Sequence, residues 1–185
     1  MFQKYTIFVI FVLLLIISAC SSQSDDEKVS FQDQVNEALG TKVFIPKMND
    51  YPITLAEIRH SPTDDKNSLI VRYSKEKGEL RDESYKKKYE DNTNADVLYG
   101  IYGGEPLIFR MTYHNGKANS QPSDSKTING IHVQYHKVER NNAKVLLVSF
   151  NAGDGSYLLE FNLQDELTQE KSFEIVESMA EEVSK

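Results

Sequence analysis

Histidines, a lone cysteine and scattered carboxylates are the side chains here that could carry chemistry, and their spacing restricts what that chemistry can be. His132 and His136 alternate with Ile131, Val133 and Tyr135 at the period of two of a half-buried strand, so both lie on its wet face. Four residues of strand separate them by roughly 13 Å at ~3.3 Å per residue, too far to share one ion. The place between them on that face is held by Gln134. Nothing in spacing pairs His60 with His114, so surface histidines are expected and no metal. The Gly-x-Ser-x-Gly elbow of serine hydrolases is absent from the sequence. Gly103-Gly104 and Gly153-Asp154-Gly155 lack the following lysine and hydroxyl of a phosphate loop and read as turns, with no cofactor implied. The carboxylates fall mostly in loops and on helix faces, where solvation explains them; an acid pair of the glycosidase kind is assembled in three dimensions and would not show as spacing. A chain without catalysis is the expectation.

The one cysteine has a more specific setting. Lys4 gives a short positive start, and the apolar run from Ile7 to Ile17 is shorter than the ~20 residues of a spanning helix but suits the core of a signal peptide. It ends in Ile17-Ser18-Ala19-Cys20, which resembles the lipobox of bacterial lipoproteins. That resemblance implies that residues 1–19 are a signal peptide, that Cys20 receives a diacylglyceryl group, and that it becomes the first residue of the mature chain. Two acyl chains, at ~0.8 kcal/mol per buried methylene, hold far more firmly than one. The implied address is the extracytoplasmic face of the cell membrane.

Length, charge and composition bound the remainder. A chain of 185 residues allows one domain with appendages, and a hydrophobic fraction of 39% with 26% charged residues is that of a globular protein. A net charge of -7 argues against nucleic acid, whose phosphates call for a basic surface. One cysteine excludes an intrachain disulfide or a thiolate zinc cluster. Removing residues 1–19 takes away Lys4 and no acidic side chain, which leaves -8. Such a body is repelled by an anionic bilayer and suits a spacer, and residues 20–29 have the polar composition of a flexible tether. The folded domain is placed at residues 30–185.

Within it the pattern predicts a helix from Ser30 to Gly40 with Phe31, Val35, Ala38 and Leu39 on one face. Short strands follow at Val43-Phe44-Ile45 and from Ile53 to Ile58, then one from Asn67 to Tyr73. Charge dominates from Ser74 to Asp96, read as a solvated loop or edge hairpin. Val97 to Tyr102 and Leu107 to Tyr113 read as a hairpin joined at Gly103-Gly104-Glu105-Pro106, with a polar loop running on to Lys126. Strands at Ile131, at Lys144 to Phe150 and at Tyr157 to Asn162 read as a meander. After Thr168 a closing helix carries Phe173, Ile175, Val176, Met179, Ala180 and Val183 on one half of its wheel and Glu174, Glu177 and Glu181 opposite. Strands that follow strands make the class α+β. The expected architecture is a curved antiparallel sheet of about seven or eight strands, packed by an N-terminal and a C-terminal amphipathic helix.

Two surface features suit binding. Tyr99, Tyr102 and Tyr113 gather around the predicted hairpin, and tyrosines are favoured at interfaces. Lys86, Lys87 and Lys88, between Tyr85 and Tyr89, could touch an anionic polymer or lipid headgroups. The element order, with Val43-Phe44-Ile45-Pro46, Gly130-Ile131, Asp154-Gly155-Ser156-Tyr157 and Ile175-Val176-Glu177-Ser178-Met179, resembles uncharacterised lipoprotein and sporulation-associated domains of Gram-positive bacteria. Those are related in fold to lipoprotein-carrier and sigma-factor-regulator domains. The resemblance implies a curved sheet with helices on its concave side, sometimes holding acyl chains. The expected function is a membrane-anchored module that binds a partner protein or envelope component; the alternative is a carrier sheltering a lipid-like ligand between sheet and helices.

Overall fold

The computed structural model describes residues 23–62, 66–119, 124–141, 143–164 and 167–185. Residues 1–19 and Cys20, where a signal peptide and lipobox are expected, lie outside the described residues. In chain order the elements are α1 (Gln23–Leu39), β1 (Ile53–His60), β2 (Asn67–Ser74), α2 (Glu83–Thr93), β3 (Ala95–Gly100), β4 (Leu107–His114), β5 (Asp124–Ile128), β6 (Ile131–Arg140), β7 (Ala143–Ala152), β8 (Gly155–Asn162) and α3 (Gln169–Val183). The strands form one sheet in the order β3-β1-β2-β4-β8-β7-β6-β5. Every neighbouring pair is antiparallel, which is the α+β class. Among the described residues no helix is long and apolar enough to cross a membrane.

Alternation along the central strands sends Tyr73, Phe109 and Phe161 to one face, where register aligns them across β2, β4 and β8. Their rings stack in sequence, with centroids 4.1 Å apart for Tyr73 and Phe109 and 5.2 Å for Phe109 and Phe161. All three are fully buried. Burying a ring or branched side chain of this kind contributes roughly 1.5–3 kcal/mol, so this row is a main prop of the fold. Phe31, Val35 and Leu39, spaced four apart on α1, are buried in the same apolar cluster as Val176, Met179 and Ala180 of α3. Glu174, Glu177 and Glu181 face solvent, as the helical pattern requires. Thr168 caps α3 by accepting a hydrogen bond from the Lys171 N–H.

The β6-β7-β8 meander forms as expected. It is extended by β5, which falls in the stretch read as a polar loop. The β5–β6 turn is Asn129-Gly130, both with positive φ (48° and 81°), the backbone a two-residue hairpin turn requires.

Four other expectations are corrected. Val43-Phe44-Ile45 is not a strand: its backbone bonds go to side chains, the Phe44 N–H to Tyr157 Oη (3.0 Å) and the Val43 N–H to Asn36 Oδ1 (3.2 Å). The stretch 74–96 is not simply loop, because it holds α2. Nor do Val97–Tyr102 and Leu107–Tyr113 form a hairpin, since β3 pairs with β1 and β4 with β2. The helix α2 carries the chain back to the open edge of β1, and Gly103-Gly104 serves close packing, with Gly104 set so that a Cβ would collide with the Thr54 methyl. Finally, α1 starts at Gln23, within the stretch read as tether, and Ala38 is exposed.

Candidate interaction surfaces

The predicted tyrosine group is divided by the fold. Tyr99 at the end of β3 and Tyr102 just beyond it lie with ring centroids 5.6 Å apart, and Phe31 of α1 approaches Tyr99 at 5.8 Å. Lys77 reaches over both rings, its Nζ 3.9 Å from the Tyr102 centroid and 4.9 Å from that of Tyr99, and donates to the Tyr99 hydroxyl. Burial alone would lower the Lys77 pKa, but the two tyrosine hydroxyls outweigh it and hold the ammonium above its ordinary value. Tyr113 is elsewhere: it is buried on β4 with its ring 5.0 Å from Tyr157.

The chain from Glu79 to Asp82 runs beside Tyr102, through the Leu80–Tyr102 bridge and the Arg81 N–H bond to the Ile101 carbonyl. This places Leu80 (58% exposed) at the tyrosine pair, with Tyr85 (48% exposed) beneath the Arg81 guanidinium, 5.6 Å from the ring centroid. Apolar, aromatic and cationic groups thus share one corner, the composition of protein interfaces. Sequence reading missed Leu80 and Lys77, which lie in the charged stretch and join the tyrosines only through the fold.

Lys86, Lys87 and Lys88 fall on α2. That helix starts because the Asp82 side chain accepts from the Tyr85 N–H (2.8 Å), and it ends at Asn94 with φ 51°. Consecutive helical residues turn about 100° each, so the lysines fan around the helix and form no common face. Lys86 is half-buried, while Lys87 pairs with Asp91 at 3.5 Å.

The histidines are dispersed. His132 and His136 are exposed on the outer face of β6, as expected, and with Gln134 they leave the core side to Val133. A shallow cleft of ≈ 250 Å³ lies there, lined by His132, Gln134, Ser149 and Asn151 among others. His60 is engaged: Nδ1 is 3.0 Å from Asn67 Oδ1 and Nε2 is 2.9 Å from Asp96 Oδ2. Among the described residues no three His, Cys, Asp or Glu side chains gather to hold a metal ion.

A further group, not singled out by spacing, occupies the outer face of the central strands, opposite the stacked rings. Register sets Arg72 of β2 beside Arg110 of β4, and Arg110 beside Glu160 of β8. Glu57 of β1 is wholly buried, its Oε1 2.6 Å from Arg59 Nη2. Glu57 Oε2 and Arg59 Nε are buried with no hydrogen-bond partner among the described residues. Arg110 is ion-paired to Glu160, which holds its guanidinium protonated more firmly than usual. Tyr89 of α2 leans over this group and accepts from Arg72 Nη2 at 3.4 Å. Burial pushes the Tyr89 hydroxyl pKa up, with the adjacent Glu57 carboxylate adding to the shift.

No known protein family, curated protein or solved structure matches this chain.

Proposed function

We propose that the protein is an extracytoplasmic lipoprotein, tethered to the cell membrane through Cys20, whose domain binds a partner protein or envelope component without catalysis. Ile17-Ser18-Ala19-Cys20 supports the tether. The observation that carries the binding role is the corner where Lys77 lies over the rings of Tyr99 and Tyr102 beside exposed Leu80 and Tyr85. In this reading the sheet curves about α1 and α3, and the stacked rings of Tyr73, Phe109 and Phe161 fill the space that a carrier would leave for a lipid-like ligand. A filled interior favours a surface binder over a carrier.

Two measurements test this reading. A clickable palmitate analogue fed to cells labels the protein, and Cys20→Ser abolishes both the label and recovery with membranes; an unlabelled protein refutes the tether. A photocrosslinking residue at Leu80 captures a defined partner in intact cells and one at Val138, exposed on β6, does not. Equal capture at both places refutes the binding corner.

A further inference from the structure

We infer that the outer face of the sheet binds one singly charged oxyanion, a carboxylate or a phosphate diester, between Arg72 and Arg110. This site stands on the geometry of the central strands and is independent of the tether and of the tyrosine corner. Arg72 and Arg110 are directly opposed across β2 and β4, and like charges in facing positions of an antiparallel pair repel. Glu160 offsets that repulsion for Arg110. Arg72 has no such partner: among the described residues its guanidinium meets one hydrogen-bonding group, the Tyr89 hydroxyl at 3.4 Å. A guanidinium carries five N–H donors in a planar fork that grips two oxygens of a carboxylate or phosphate at once. Most of the Arg72 fork is therefore unclaimed, beside a second arginine already fixed in place by its own carboxylate.

The surroundings set the charge of the ligand. Arg59, Arg72 and Arg110 face Glu57 and Glu160, three positive charges against two negative, which leaves one to neutralise. On a chain of net charge -7 this is a local positive spot, and one anionic group balances it where two charges would overfill it. The group is not closed upon itself either, since Arg59 Nε is a buried donor and Glu57 Oε2 a buried acceptor, each without a hydrogen-bond partner among the described residues. Access comes from solvent: the Arg59 and Arg110 side chains are 40% and 39% exposed. Both arginines of the proposed pair stand on central strands of the sheet, which holds them rigidly enough to preorganise the site.

The arginine Nε–H signals of the full chain in a zwitterionic detergent, followed by NMR, read the site directly. Titration with dimethyl phosphate and, separately, with acetate is expected to shift the Arg72 and Arg110 signals along a saturable curve, and the tighter of the two probes identifies the source of the anionic group. Arg72→Gln should weaken that binding about tenfold or more, the scale of one lost charge-assisted pair. Arg72→Lys, which keeps the charge but loses the fork, should fall between. Lys185→Ala changes the net charge by the same amount far along the chain and should leave binding unchanged. The inference is overturned if the shifts grow without saturating, or if Lys185→Ala weakens them as much as Arg72→Gln does.

Discussion

His60 and Asp96 clasp the end of the sheet where β1 and β3 meet: the imidazole Nε2 lies 2.9 Å from Asp96 Oδ2 while Nδ1 faces Asn67 Oδ1 on β2. Both ring nitrogens meet oxygen, an arrangement that suits the doubly protonated ring. The Asp96 hydrogen bond, helped by that of Asn67, holds the His60 pKa above the ordinary 6.5, against a smaller opposing effect of burial. A raised folded-state value stabilises the fold fully below the unfolded pKa, and this is lost as pH climbs through the folded value. The clasp is 38% exposed on its histidine side, so it contributes on the scale of a surface pair, about 0.2–1 kcal/mol. Urea midpoints should therefore fall as pH rises upward from about 6.5, and His60→Asn should flatten that slope. A wild-type midpoint with no slope in this window would show that the clasp contributes nothing.

Tyr73 offers a test of the core. Its hydroxyl donates to the Pro46 carbonyl at 2.9 Å, a buried bond that ties the extended segment after α1 to the sheet. Tyr73→Phe keeps the stacked ring but leaves that carbonyl unpaired, at an expected loss of about 1–3 kcal/mol in denaturant unfolding. Tyr73→Ala also opens a cavity and should cost about 3–5 kcal/mol. Equal losses for the two variants would mean that the hydroxyl, and not the ring, secures this contact.

The hold on α2 is predicted to lie in Tyr89. None of the residues of this helix is buried, and its contact with the sheet is polar, through Tyr89 to Arg72 and Glu90 to the Val97 N–H at 2.9 Å. Tyr89→Ala should raise hydrogen exchange along Glu83–Thr93 selectively, while lowering global stability by about 1–2 kcal/mol. If exchange rises instead through β2 and β4, the helix is part of the core and not a cover laid upon it.

That polar contact also explains what could be read in advance. The stripe from Phe173 to Val183 on α3 is visible because burial imposes the helical period on apolar residues. The order β6-β7-β8 is visible because its turns are short and local. In α2 no apolar period exists, and only its ends, Asp82 and Asn94, announce a helix. The place of β3 is hidden for another reason: pairing with β1 is a choice between distant partners, which adjacent strand patterns do not record. The arginine row did leave a trace. Arg72, Arg110 and Glu160 each sit as the one charge within an apolar strand run, Leu-Ile-Val-Arg-Tyr, Ile-Phe-Arg-Met and Leu-Leu-Glu-Phe. One charge in each of three such runs is a signal; that they become neighbours follows only from the register.

The seam between β4 and β8 has a bearing on how the protein comes to be folded. Partners such as Tyr113 and Tyr157 are far apart along the polypeptide, so β4 must wait for the whole C-terminal meander before its second edge is satisfied. Contacts of such long reach slow the search for the native state. A nascent chain emerging amino end first would carry an open, ring-bearing strand edge until Gly155–Asn162 has been made. The interval between making Leu107–His114 and making Gly155–Asn162 is thus its time of greatest exposure to aggregation and to chaperones.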